Sequence, residues 1–84
     1  MIEINVKSDL YWVFSQIISN LMEDNINFSC DRREETIVLS INKYKMLIHY
    51  YDRGCAIAIK AETKEDIITN RDFGFFHNLL RGIY

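Results

Sequence analysis

Residues 36–60 read TIVLSINKYKMLIHYYDRGCAIAIK, and along most of this stretch every second side chain is large and apolar. A period of two residues is typical of β-strands that bury one face against a core. Turn-forming residues interrupt the alternation at Asn42-Lys43 and at Asp52-Arg53-Gly54. We therefore predict three strands joined by short hairpins. The alternating residues 28–31, ahead of the turn Asp31–Glu34, add a fourth strand to an antiparallel meander.

The register of these strands is predicted by requiring that their apolar faces coincide, because a slip of one residue turns every side chain to the other face. A two-residue loop at Asn42-Lys43 meets this requirement for the first hairpin. For the second hairpin we expect Arg53-Gly54 as the tip, or Asp52–Cys55 as a four-residue loop. Either choice pairs Ile57 with Tyr50.

Helical periodicity flanks the meander on its N-terminal side. Apolar residues in the segment 10–22 recur at i, i+3, i+4 and i+7, which is the spacing of an amphipathic helix. Ser8-Asp9 supplies N-cap residue types directly ahead of them. We predict a helix over about residues 9–24 with Asn25 as its terminator and Asn20 on its polar side.

Three further segments complete the predicted element order. A second broad apolar face predicts a helix over about residues 71–82, with Asn70 as a candidate N-cap. Before it, Thr63-Lys-Glu-Asp66 resembles a capping box whereas Ile67-Ile68-Thr69 favours a strand, so this segment stays open between helix, strand and loop. The alternating stretch Ile2–Val6 is a candidate edge strand.

These elements predict one α+β fold for the 84 residues. We expect a single two-layer domain over residues 1–84, with a four-stranded antiparallel β-meander and a possible extra N-terminal edge strand. Two α-helices cover one face of the sheet, in the order (β)αββββα. A chain of this length is too short for a second domain of ordinary size.

Composition excludes several classes of protein. Hydrophobic residues make up 49% of the chain, which argues against disorder, and the net charge of −2 offers no basic surface for nucleic acid. No apolar run approaches the roughly 18 residues that span a bilayer. The first residues lack the basic and apolar regions of a secretion signal. We therefore expect a cytoplasmic protein with no membrane partner, and a nucleic-acid partner is disfavoured.

Cys30 and Cys55 are the only two cysteines. Their predicted strands are not neighbours, so we expect two free, buried thiols and no disulfide. A zinc site built from both cysteines with His49 and His77 is the alternative, but the close ligand pairs typical of zinc sites are missing. We expect no metal and no cofactor.

More apolar surface is present than the predicted core requires. The outer face of the sheet is aliphatic and aromatic in its middle and charged only at its rim, which is typical of a protein interface. Packing of the N-terminal strand or the C-terminal tail on this face is the alternative. A tryptophan among polar neighbours on the first helix is a second candidate contact. The candidate interface residues are Trp12, Val38, Leu47, His49, Tyr51, Ala56 and Ala58.

The function we predict from these features is non-enzymatic, because no catalytic motif pairs a nucleophile or base with an orienting partner. The favoured hypothesis is a module that occupies a surface of a protein partner, with a homodimer as its simplest form. A phage- or mobile-element-encoded inhibitor of a host protein is one version, suggested by the AT-rich residue usage. The alternatives are a purely structural homodimeric subunit and a single-strand nucleic-acid binder that stacks bases on tyrosines. Those tyrosines are Tyr44, Tyr50, Tyr51 and Tyr84.

Overall fold

The structure of the protein, a computed structural model, describes residues 2–62 and 68–83. Five strands and two helices follow one another in the order βαββββα within these residues, which confirms the predicted α+β fold. The elements are β1 (Ile2–Val6), α1 (Leu10–Glu23), β2 (Phe28–Arg32), β3 (Thr36–Ile41), β4 (Tyr44–Tyr51), β5 (Gly54–Ala61) and α2 (Asn70–Leu79).

All strand pairs are antiparallel, and the strands lie in the order β1-β5-β4-β3-β2. The predicted meander β2 to β5 is therefore present. Ile2–Val6 forms the extra edge strand, paired with β5 along its full length. The alternative in which this segment packs on the outer face of the sheet is wrong, because its side chains continue the two faces of the sheet instead.

The first predicted register is confirmed and the second is wrong by two residues. Ile41 lies opposite Tyr44 across the turn Asn42-Lys43, as expected. In the second hairpin, however, Ile57 pairs with Ile48 and not with Tyr50. A shift of two residues keeps every side chain on its predicted face, so the division into inner and outer faces survives the error.

The tip of the second hairpin explains that error. Asp52 and Arg53 form the turn, with Asp52 at a φ of 53°, and Gly54 is already paired with Tyr51. A Cβ atom on Gly54 would lie 2.0 Å from the carbonyl oxygen of Val6. The glycine is therefore required by the close approach of the β1 backbone and not by the turn itself.

The core lies between the inner face of the sheet and the two helices. Alternate residues of β3, β4 and β5 are buried together with the apolar stripe of α1 and the C-terminal half of α2. Cys55 belongs to this core, as predicted, and burial raises the pKa of its thiol. Cys30 does not, because its strand β2 lies at the edge of the sheet, and the prediction that this thiol is buried is wrong.

Asn20 corrects the assignment of the polar side of α1. Its side chain is only 2% exposed, and its amide nitrogen donates hydrogen bonds to the backbone carbonyls of Leu79 (2.8 Å) and Arg81 (3.0 Å). Carbonyls at the end of a helix have no partner within the helix. The buried amide therefore completes the C-terminus of α2 and fixes it against α1.

An ion pair reinforces the same junction at the surface. The guanidinium of Arg81 donates from Nη1 to Oδ2 of Asp24 (3.0 Å) and from Nη2 to Oδ1 (3.2 Å), with Glu23 as a further acidic neighbour at 3.4 Å. The hydrogen bond to Asp24 raises the pKa of Arg81. Asp24 is the C-cap of α1, and Asn25 follows it at a φ of 55°, consistent with its predicted role as terminator.

The N-terminus of α2 is held by a second polar contact. Thr69, not the predicted Asn70, is the N-cap, and its backbone N–H and its hydroxyl both donate to Oδ2 of Asp72 (2.8 and 3.0 Å). The other carboxylate oxygen of Asp72 accepts a hydrogen bond from the buried phenol of Tyr44. The start of β4 is thereby tied to the start of α2. The candidate capping box Thr63–Asp66 lies outside the described residues.

Gly54 and Gly74 lie in contrasting surroundings and give a matched test of the close packing between β5 and the end of β1. We expect Gly54→Ala to destabilise the fold by about 1–3 kcal/mol, because the new methyl group collides with the β1 backbone. Gly74 lies inside α2 with open space around it, so Gly74→Ala should stabilise the fold by up to about 1 kcal/mol. Urea unfolding of both variants measures the difference, and equal midpoints would contradict the close approach at Gly54.

The buried amide of Asn20 gives a second test. Asn20→Ala leaves two carbonyls of the α2 terminus without their donor, and we expect a loss of about 1–3 kcal/mol in unfolding free energy. Ser19→Ala changes the exposed neighbour on the same helix and should stay within about 0.5 kcal/mol of the parent protein. A loss shared equally by both variants would assign the effect to α1 in general and not to the amide.

The Tyr44–Asp72 contact predicts a dependence of stability on pH at both extremes. Hydrogen bonds from Thr69 and Tyr44 lower the pKa of Asp72 below its ordinary value of 3.8, and burial and Asp72 raise the pKa of Tyr44 above 10.0. Asp72 therefore stabilises the fold above pH 3.8, and this contribution is lost as the pH falls through its lowered pKa. The contribution of Tyr44 is complete below pH 10.0 and is lost as the pH rises through its raised pKa.

Unfolding measured from pH 2 to pH 11 checks this pair. Tyr44→Phe should flatten the decline at the alkaline end and reduce the decline at the acid end, whereas Asp72→Asn should act mainly at the acid end. Parallel curves for the parent protein and Tyr44→Phe would contradict the coupling.

Candidate interaction surfaces

The outer face of the sheet, turned away from the helices, carries an aliphatic row across its middle. Val38, Leu47 and Ala58 lie side by side on β3, β4 and β5, and each is partly exposed. The row ends in a carboxylate on either side, because Asp31 on β2 pairs with Val38 and Glu3 on β1 pairs with Ala58. We call these five residues the outer-face row.

A second row runs beside it and contains the other predicted sheet residues. His49 lies opposite Thr36 on one side and opposite Ala56 on the other, the second pairing following from the corrected register of the second hairpin. Ala56 is 0% exposed, so its side chain contributes no accessible area to this surface. Tyr51 is 52% exposed at the end of β4 and extends the outer face towards the hairpin tip.

Lysines border the outer-face row on its other side. Lys45 on β4 and Lys60 on β5 lie directly opposite each other, beside Ser40. Like charges in such a pair repel and keep both ammonium groups turned towards water. The outer face is therefore an apolar strip between a pair of lysines and the row that contains His49, with carboxylates at its two ends.

Trp12 lies on the other layer of the molecule. It is 47% exposed on α1, and α1 packs against the inner face of the sheet. The structure thus brings together six of the seven predicted interface residues and separates Trp12 from them. One flat partner cannot cover both places at once.

The helix layer also carries an aromatic cluster that sequence reasoning missed. Arg32 on β2 donates from Nη2 to the phenolic oxygen of Tyr11 (3.3 Å), and its guanidinium lies 5.4 Å from the centre of the same ring. Tyr50 lies nearby, and its pKa is raised by burial and by the proximity of Tyr11 and Asp9. The only available signal was the position of Tyr11 in the first turn of α1, which does not reveal a contact with β2.

The tyrosines proposed to stack bases do not form one platform. Tyr44 is buried and packs edge-on against Phe76, with ring centres 5.0 Å apart. Tyr50 and Tyr51 are both about half exposed, but adjacent strand residues point to opposite faces of the sheet. Tyr84 lies outside the described residues.

The four residues of the alternative zinc site are also dispersed. Cys55 points into the core, His49 lies on the outer face, and Cys30 is exposed on the distant strand β2. His77 is exposed on α2. Within residues 2–62 and 68–83, no three side chains of His, Cys, Asp or Glu are placed to share a metal ion.

Concave regions of the described surface include one at the hairpin tip, which Tyr51 of the outer face also lines, and one along α1. A cavity of about 660 Å³ lies between the end of β1 and the β4–β5 hairpin, with Lys7, Tyr51 and Arg53 among its lining residues. A groove of about 460 Å³ runs along α1 beside Phe14, Ile18 and Met22. The groove is apolar apart from two serines, whereas the cavity carries charges of both signs.

Neither helix in the described part of the chain is long and apolar enough to cross a bilayer. Comparison with protein-family models, curated proteins and solved structures found no match to this chain.

Proposed function

We propose that the protein is a non-enzymatic binding module whose outer sheet face occupies a surface of a protein partner. The observation that carries the proposal is the outer-face row, in which three partly exposed aliphatic side chains are contiguous. In a strand with one buried face, the residues that point to water are normally polar. An aliphatic strip at these positions therefore supports a protein contact.

The chemistry of the row indicates what a partner must provide. The aliphatic part of the row lies on one face of a sheet and matches a flat apolar surface. It consists of Val38, Leu47 and Ala58. Glu3 at one end favours a basic group at that margin of the partner surface, since charge complementarity at the rim of an interface sets orientation. Asp31 at the other end already accepts a hydrogen bond from Nε of Arg33 (3.0 Å). The adjacent Lys45–Lys60 pair favours acidic groups on one side only.

A protein partner is a better match to this surface than nucleic acid. The chain carries a net charge of −2, and the exposed tyrosines Tyr50 and Tyr51 point to opposite faces. Base stacking on a sheet requires aromatic rings on one face beside a basic groove. Within this proposal, the protein acts in the cytoplasm without a cofactor. Inhibition of a host protein by a phage or mobile-element product is its most specific form.

Leu47→Glu tests the proposal, with Ser19→Glu on the opposite layer as the matched control. A carboxylate in the middle of the strip would be buried without a partner, so we expect at least a tenfold loss of affinity. Both sites reach solvent, and we expect each variant to unfold within about 1 kcal/mol of the parent protein.

The measurement is capture from a lysate of the native host cells, followed by calorimetry with the purified captured protein. Retention by the parent protein and Ser19→Glu, together with loss by Leu47→Glu, supports the outer face. Equal retention by all three places the contact elsewhere. Binding of mixed oligonucleotides at low salt would favour the nucleic-acid alternative, since phosphate contacts are strongest there.

A further inference from the structure

Strand β2 presents a row of backbone groups that no described strand pairs. It is the last strand of the sheet, bonded only to β3. At its end, the N–H of Arg33 donates to the carbonyl of Thr36 (2.8 Å), and the N–H of Thr36 donates back to the carbonyl of Arg33 (3.4 Å). Because such pairs alternate along an antiparallel ladder, the N–H and C=O of Phe28, Cys30 and Arg32 point away from β3.

The side of α1 above this edge is apolar and incompletely covered. Phe14, Ile18 and Met22 follow one another at four-residue spacing, which places them on one side of the helix, and Met22 is 67% exposed. Tyr11 lies on that same side and contacts Arg32 of β2. The opposite side of α1 faces α2, since Asn20 bonds its C-terminus.

We propose that β2 pairs antiparallel with β2 of a second copy of this chain. The two sheets then join into one continuous sheet with all helices on the same face, and the two-fold axis passes beside Cys30. The three outward-pointing residues of each strand form about six backbone hydrogen bonds across the axis. The apolar sides of the two α1 helices face each other above it. This inference does not depend on the proposed function of the outer face.

Charge and overlap select the axis at Cys30. Residues that lie opposite each other in an antiparallel pair point to the same face of the sheet. The two-fold axis must therefore pass through a residue of the strand and not between two residues. At Cys30, all five residues of β2 find a partner: Ser29 lies opposite Asp31 of the second copy, and Phe28 lies opposite Arg32 of the second copy. An axis at Asp31 would oppose two carboxylates, and an axis at Ser29 would leave Asp31 and Arg32 beyond the paired strand.

The other edge of the sheet is less suited to a second copy. The inner residues Ile2 and Ile4 of β1 are already partly buried against the core cluster that contains Phe76 and Leu80, and they line a shared concave region with these two residues. The side of α1 next to β2 has no equivalent cover among the described helices. A five-residue strand buries less area than a standard stable interface, so we expect a weak dimer with a dissociation constant in the micromolar range.

Two substitutions on neighbouring residues of β2 test this pairing. Cys30→Lys places two ammonium groups directly opposite each other at the axis and should raise the dimer dissociation constant about tenfold. Ser29→Lys instead opposes each new lysine to Asp31 of the second copy and should lower it about threefold. Both side chains are exposed, so neither change removes a core contact, and circular dichroism confirms that each variant is folded.

Sedimentation equilibrium of the full chain from 1 µM to 1 mM measures these constants in the presence of a reductant. Opposite shifts for the two lysine variants, with Leu47→Glu unchanged, support pairing through β2. A monomer across the whole range overturns it. Equal shifts for the two lysine variants also overturn it, because any dimer would then use β1, the outer face or another surface.

Cross-linking gives an independent measurement of the axis. Cys55 is buried and Cys30 is exposed, so a short bismaleimide reacts at Cys30, where each thiol adds to one maleimide double bond. We expect covalent dimers at protein concentrations near the dissociation constant, and none with Cys30→Ser. Dimers by sedimentation that fail to cross-link would place the axis away from Cys30 and overturn the proposed register.

Discussion

Tyr44, Met46 and Ile48 point from β4 into the core, and the period of two that places them there constrains the rest of the sheet. β4 is the central strand, with neighbours on both sides, so its inner face fixes which residues of β3 and β5 are buried. Burial of this shared face is the main favourable contribution to folding. The outer face and the two sheet edges then follow as the surfaces that remain.

Polar contacts decide how α2 sits on this core. The apolar residues of α2 can pack at more than one angle, because hydrophobic contact has no direction. The amide of Asn20 bonds carbonyls only at the C-terminus of α2, and Tyr44 reaches Asp72 only at its N-terminus. The two contacts hold opposite ends of one helix and together specify a single docking geometry.

The two proposed surfaces use different chemistry and share one residue, Asp31, which ends the outer-face row and lies on β2. The outer-face row offers side chains, whereas the free edge of β2 offers backbone N–H and C=O groups. A dimer formed through β2 would place two outer-face rows on one continuous sheet. The module would then bind a symmetric or repetitive partner at two sites, which raises its effective affinity without any new contact.

The sequence by itself determined the class of the fold and the two faces of its strands, because a period of two residues is a local property of the chain. The outer-face residues Val38, Leu47 and Ala58 were identifiable on that basis. The turn at Asp52-Arg53 was not, since a glycine at a hairpin suggests a turn whether or not another strand approaches it.

Only the tertiary structure decided which of these residues are accessible. Asn20 is buried by α2 and Ala56 by its neighbours on adjacent strands, whereas Cys30 is exposed because β2 is an edge strand. Gly54 is required because β1, which is distant in sequence, passes within contact of it. Each of these outcomes depends on a segment far away along the chain, and local periodicity carries no information about which distant segment arrives.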